Sequence, residues 1–190
     1  LKRAFVESNG ESRLIYARIL GFFGDKTVVP ALVEALEEAK WDEKILQGVA
    51  AEYAHLPTPV DALVLALGAT RDPRAVAPIL RKLELLDSNT TLSHHRSVAL
   101  ALEQIGDPAA AAPLARLLAR PGMRGHAMNR LEPMHQARDQ RRREGALREI
   151  VLARALYRCG DADRLGESIL REYQDDLRGL FARHASLVLR

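Results

Sequence analysis

Cysteine is all but missing from this chain of 190 residues, where Cys159 stands alone. No internal disulfide can form, and a thiolate metal cage is excluded with it. Cys159 closes an apolar helical pattern, where an inert core thiol is expected. Aromatics are scarce as well, 5% of residues against 47% hydrophobic, so a core must be built from aliphatic side chains. That composition favours closely packed helices over sheets, which draw on β-branched and aromatic residues. No run of ~20 apolar residues is present to span a membrane, and no basic-then-apolar leader opens the chain. A membrane is therefore not among the expected partners. The chain also opens without Met, at Leu1 inside a helical pattern, as a piece of a longer protein would.

The net charge of +3 hides an asymmetry. Residues 120–149 hold eight Arg and four acidic residues, a net of +4, which leaves −1 for the rest. The basic character belongs to one segment. At this length roughly 70% of the unfolded chain's surface can be buried, so a core needs no metal staple.

What is present is a repeated turn. Gly24-Asp25, Arg71-Asp72-Pro73, Gly106-Asp107-Pro108 and Gly160-Asp161 each follow one apolar helical pattern and open another. Three are followed by a Pro five or six residues after the Asp (Pro30, Pro78, Pro113), and the fourth has Glu167 in its place. Glycine can take the left-handed conformation that ends a helix, and Asp can cap the next through its carboxylate. This Pro is expected to restart the following helix near its beginning. One supersecondary unit in series predicts an all-α fold, an α-solenoid or superhelix in which each helix pair buries its apolar face against its neighbours. The units fall at about 11–40, 60–86, 93–120 and 146–173, with a capping helix at 177–189 and a basic insertion at 122–145. The first helix is expected to bury Leu14 and Ala17 with Ile15, Ile19 and Phe22. Residues 41–59 fit the repeat poorly and close on Pro57 and Pro59.

The phrases Gly24–Leu32 and Gly106–Leu114 resemble HEAT-like repeats of the phycobilisome-lyase type. A narrower resemblance is carried, in order, by Trp41-Asp42, Asp61–Gly68, Ser93–Glu103, Pro121–His126 and Leu147–Asp161. These are similar to the helical C-terminal region of certain bacterial FAD-dependent oxidoreductases, where a flavin-binding Rossmann-type domain lies upstream. The resemblance implies a non-catalytic accessory or interaction region, with FAD bound in the upstream domain and no cofactor in this segment. Its partner would be that flavin domain or another protein surface. The chain itself has no Gly-x-Gly-x-x-Gly. The alternatives are a free-standing scaffold that binds a protein, and a nucleic-acid binder using the Arg-rich segment.

Candidate binding residues cluster in two places. Ser93 is placed to cap a helix, so that His94, His95 and Arg96 fall in its first turn, where the helix dipole keeps imidazoles neutral. Both histidines border the apolar face; a pair hydrogen-bonded to the preceding connector, a binding role and a metal site all fit. His126 and His135 lie in the insertion, followed by Arg138, Arg141, Arg142 and Arg143. The arginines fit a solvated loop, a phosphate contact or docking onto an acidic surface. No aromatic stands between Arg120 and Arg154, so the base-stacking half of a nucleic-acid site is missing. No His-x-x-x-His pair occurs, and no His is followed by the Glu that di-iron HEAT-repeat hydroxylases place there. Catalytic and metal-ligating residues are therefore not expected here.

Overall fold

A computed structural model describes residues 1–41, 58–131 and 136–190 of the chain. Among them there are helices and turns and no strand. The α-helices are α1 (Lys2–Glu7), α2 (Gly10–Phe22), α3 (Val29–Glu38), α4 (Pro59–Thr70), α5 (Val76–Leu83), α6 (Leu92–Ile105), α7 (Ala111–Leu118), α8 (Gln136–Arg158), α9 (Leu165–Gln174) and α10 (Gly179–Val188). No helix of the described residues is long and apolar enough to cross a membrane. The segment after Trp41 that fits the repeat poorly, and His135, lie outside the described residues.

Two rows of helices organise the core. In one, α2 packs on α4, α4 on α6 and α6 on α8; in the other, α3 packs on α5 and α5 on α7. The rows interlock through α3 on α4, α5 on α6 and α7 on α8, and α9 and α10 follow against α8. Small residues bring the first row together. A Cβ on Gly68 of α4 would lie 2.4 Å from Ala101 Cα of α6, and one on Gly21 of α2 would lie 3.1 Å from the Ala66 carbonyl of α4. Larger side chains at these points would force the backbones apart.

The repeated turn does the joining. Asp25, Asp72 and Asp107 each accept the backbone N–H two residues on, from Thr27, Arg74 and Ala109. Each caps one 3₁₀ turn that runs straight into α3, α5 or α7. Pro30, Pro78 and Pro113 fall in the first turn of those helices, where no backbone donor is needed. Gly24, Gly106 and Gly160 have positive φ, and in the second copy Arg71 takes the same left-handed conformation at φ 51°.

The fourth copy departs from the expected cap. Asp161 itself has φ 47°, and its carboxylate reaches forward to the N–H groups of Gly166 and Glu167, at 2.5 and 2.9 Å. It caps α9 directly. Gly166 permits this approach, since a Cβ there would lie 2.8 Å from Asp161 Oδ1.

Two further expectations are corrected. The insertion does not extend to residue 145, because α8 begins at Gln136 and carries Arg141, Arg142 and Arg143 on a helix. Apart from Asp139, residues 136–144 are strong helix formers without Gly or Pro, but they have no apolar stripe to betray the helix. And α2 buries Ala17, Leu20 and Gly21, while Ile15 and Phe22 stay half exposed, because α2 stands at the end of its row.

Candidate functional site

The polar core of the molecule lies between α4 and α6. Thr58 and Asp61 form a capping box at the start of α4: Asp61 N–H donates to Thr58 Oγ1, and Thr58 N–H donates to Asp61 Oδ2 at 2.8 Å. The other carboxylate oxygen, Oδ1, serves α6. It accepts His94 Nδ1–H at 2.9 Å and the Ser97 hydroxyl at 2.7 Å. Asp61 and His94 are both wholly buried. Burial alone would raise the Asp61 carboxyl, but the bonds from His94, Thr58 and Ser97 hold it below the usual carboxylate range.

Trp41 closes this cluster from the end of the first unit. Its ring stacks on His94 with centroids 4.1 Å apart and planes at 26°. Its Nε1–H donates to the Lys82 carbonyl at 3.3 Å, and Lys82 Nζ donates to the Ala39 carbonyl. The single Trp thereby links α3, α5 and α6.

Ser97, His94 and Asp61 are the residue types of a nucleophilic triad, but they are wired otherwise. The Ser97 hydroxyl lies against the carboxylate and the His94 carbonyl, not the imidazole. The imidazole is not positioned to take its proton, and all three side chains are shut away from solvent. The arrangement fastens two helices.

His95 points to the other neighbour. Its Nδ1–H donates to the Thr91 carbonyl at 3.1 Å, and α8 brings Arg148 alongside. Burial, then the Arg148 charge, push His95 down to about 4, so it is neutral at pH 7. Arg148 is itself buried and donates to the Thr90 carbonyl at 3.3 Å. The α6–α8 contact is completed by Glu103, which accepts from Arg154 at 2.6 Å and from Arg158. Cys159 lies in the same interface with Sγ toward the Leu102 carbonyl, and burial, with Glu103 and Asp107, pushes its thiol up to about 11.

A second carboxylate hub holds the irregular segment after α7. Glu149 of α8 accepts the backbone N–H groups of Gly125 and His126, at 3.0 and 2.9 Å, and the Tyr173 hydroxyl at 2.8 Å. Asp176 accepts Met128 N–H at 2.8 Å and a side-on pair of bonds from Arg178. Arg178 also donates to the His126 carbonyl, and Leu177 N–H to that of Met128. Burial would raise Asp176, but the bonds from Arg178 and Met128 hold it low. Burial drives the Tyr173 hydroxyl far upward, so it stays a donor. A shallow cavity of about 350 Å³ borders this hub, lined by Arg124, Gly125, Glu149, Ile169 and Glu172.

The candidates read from sequence separate accordingly. Ser93 is not the cap of α6: the helix starts one residue earlier, at Leu92, with Thr91 before it. Asp87 organises the connector instead, accepting the N–H groups of Asn89 and Thr90. His94 and His95 are wholly buried and diverge toward α4 and α8, whereas Arg96 between them is exposed. His126 is half-buried, with Nε2 3.0 Å from the Gly122 carbonyl. Its ring packs on Gly145, where a Cβ would lie 2.7 Å away. Arg142 is half-buried and Arg143 exposed on α8, which also carries Arg141. Trp41, Asp61, Ser97 and Glu149 stand inside the phrases of the resemblance but, like Asp176, were not among the candidate binding residues. Only Asp61 had a local signature, the capping box Thr58-x-x-Asp61. Among the described residues no group of three or more His, Cys, Asp or Glu is placed to hold a metal ion.

Among known families, the model of the PBS lyase HEAT-like repeat matches residues 95–120, which cover α6 from His95 on, the Asp107 turn and α7. No curated protein and no solved structure matches the chain.

Proposed function

We propose that the chain is an α-solenoid of HEAT-like helix pairs that works as a non-catalytic interaction region, the C-terminal accessory part of an FAD-dependent oxidoreductase. One observation carries the reading. Three of the phrases that resemble the oxidoreductase region meet through their side chains in the polar core, and the other two meet in the second hub, where Glu149 accepts the His126 backbone N–H. Trp41, Asp61, His94 and Ser97 come from three of them, and His126 and Glu149 from the other two. Their reactive groups are used to fasten helices and leave no free acid, base or nucleophile at a surface.

FAD would not be held in this segment. The chain has no Gly-x-Gly-x-x-Gly, and its described residues offer no strand from which a phosphate-binding turn could open a helix. The role left to the segment is to brace a flavin domain or shape access to it. Exposed Arg96 and Arg143 would face the partner; Arg141 and Arg142 precede Arg143 on the same helix. His94, His95 and His126 would support those surfaces from within.

The test lies in the reading frame upstream of Leu1. A strand, a Gly-x-Gly-x-x-Gly turn and a helix are expected there. Removing residues 1–190 from that parent should lower the melting temperature of the flavin-loaded enzyme or its turnover. A start codon just before Leu1, or unchanged stability and kinetics after the deletion, would overturn the reading in favour of a free-standing scaffold.

A further inference from the structure

Three asparagines stand in the chain, Asn9, Asn89 and Asn129, and of these Asn9 alone is followed by glycine. Asn9 and Gly10 form the joint between α1 and α2, and both are exposed. Asn9 holds the N-cap position of α2 with an extended backbone, φ −131° and ψ 165°, yet its side chain makes no cap bond. Gly10 is the first residue of α2, so its N–H has no acceptor within the helix. Its φ is positive, and no other part of the molecule comes within 4 Å of the place a Cβ would take. A free carboxamide therefore stands next to a free and unhindered backbone nitrogen. Asn89 is the opposite case. The nitrogen that follows it belongs to β-branched Thr90 and donates to both the carboxylate and the carbonyl of Asp87, at 3.0 and 3.2 Å.

We propose that Asn9-Gly10 is a site of self-modification, where the asparagine becomes aspartate or isoaspartate and the joint between α1 and α2 is altered. Water is the only co-reactant. The Gly10 nitrogen gives up its proton and attacks Asn9 Cγ. The new C–N bond closes a five-membered imide as the Cγ–Nδ2 bond breaks, and Nδ2 leaves as ammonia with that proton. Water then opens the ring. Addition at Cγ breaks the bond just made and leaves aspartate. Addition at the main-chain carbonyl carbon of Asn9 breaks its bond to the Gly10 nitrogen and leaves isoaspartate, with one more methylene in the main chain. Nothing is oxidised or reduced. Either product sets a carboxylate at the positive end of α2, and aspartate can also cap it. Isoaspartate lengthens the joint instead. With six residues and none of them buried, α1 has no stability of its own. Its ties to the body are Arg13 over the Phe5 ring at 4.9 Å and exposed Lys2 paired with Asp25 at 2.9 Å. Surface ties of this kind are weak, so the isoaspartyl form releases α1. The modification needs no flavin domain and stands independently of the oxidoreductase reading.

Incubation of the 190-residue chain at mildly alkaline pH, followed by ion exchange and peptide mass spectrometry, tests it. A gain of one negative charge is expected at Asn9, with aspartate and isoaspartate both present, before any change at Asn89 or Asn129. Asn9→Ser keeps a capping side chain but has no carboxamide, and should abolish the gain. Gly10→Ala should slow it about tenfold or more, because a methyl group crowds the attacking nitrogen and restricts its backbone. Nuclear Overhauser contacts between Phe5 and Arg13 should vanish in the isoaspartyl fraction and persist in Asn9→Asp. No gain of charge, a gain unchanged in either blocking variant, earlier change at Asn89 or Asn129, or an isoaspartyl fraction that keeps the Phe5–Arg13 contacts would overturn the proposal.

Discussion

Two buried carboxylates hold this molecule together in different ways. Asp61 joins two helices of the regular row, and the groups it satisfies are side chains of α6 and the cap of its own helix. Glu149 joins α8 to an irregular segment, and two of its three donors are backbone N–H groups. In the row, the helices satisfy their own backbones, so the carboxylate is free to specify which helix faces which. After α7 the chain has no ladder to satisfy its N–H groups, and the protein supplies the acceptors from α8 and from Asp176. Similar chemistry therefore sets register in one region and completes backbone pairing in the other.

The contrast is sharpest when each acceptor is removed. Asp61→Ala would leave His94 Nδ1–H and the Thr58 N–H buried without an acceptor and the Ser97 hydroxyl with the His94 carbonyl alone. A loss of roughly 3–5 kcal/mol is expected, seen as a lowered midpoint in chemical denaturation of the whole chain. A loss below about 1 kcal/mol would show that the hub is not what sets the α4–α6 contact.

His95 lies between the two regions, on α6 but facing α8. The unfolded chain binds a proton at this residue below pH 6.5, whereas the folded one waits until about 4. Within that window the unfolded state holds more protons, so stability is full above it and falls as the pH drops. The fall amounts to about 1.4 kcal/mol per pH unit, roughly 3 kcal/mol in all. Asp61, held below its ordinary range, loses its contribution at lower pH still. Denaturation midpoints taken from pH 7 to pH 4 should show this slope, and His95→Asn should flatten it. An unchanged slope in the variant would locate the pH dependence elsewhere.

Glu149→Ala is expected to be milder globally, about 2 kcal/mol, because the segment it holds can turn its N–H groups to solvent. The change should be local. Amide exchange at Gly125 and His126 should accelerate strongly, while that of α4 and α6 stays slow. Equal acceleration across both regions would mean that the segment and the row unfold as one unit.

These two regions also differ in how much of them could be read beforehand. The helix pairs were legible because three of the four turns state their own chemistry: a residue in the left-handed region, an Asp that caps, and a Pro where no donor is needed. Apolar spacing gave the rest, except on α2, where Ile15 and Phe22 fit a buried stripe and yet stand at the end of the row. The hubs were hidden because their partners are far apart in sequence. His94 was visible as a helix-start histidine bordering an apolar face, but nothing local ties it to Asp61 or Trp41. Glu149 looks like any charge in a basic helix, since its donors are backbone groups that carry no residue type. The start of α8 was missed for a related reason, as a polar helix shows no period.

The smallest effect sharpens the comparison among the turns themselves. Arg71 occupies the left-handed position that Gly24, Gly106 and Gly160 fill in the other copies. A side chain in that conformation is strained by roughly 1–2 kcal/mol, while glycine there loses about 0.5–1 kcal/mol to the greater freedom of its unfolded state. Arg71 is exposed and Asp72 beside it pairs with Arg74, so the substitution removes no buried contact and leaves the cap in place. Arg71→Gly should therefore stabilise the chain slightly, by about 0.5 kcal/mol, a rise of roughly 1–2 °C in melting temperature for a domain of this size. The same exchange run backwards, Gly106→Arg, should destabilise by a similar amount or somewhat more. If Arg71→Gly instead lowered the melting temperature, the arginine side chain would be contributing to the α4–α5 turn more than its backbone strain costs.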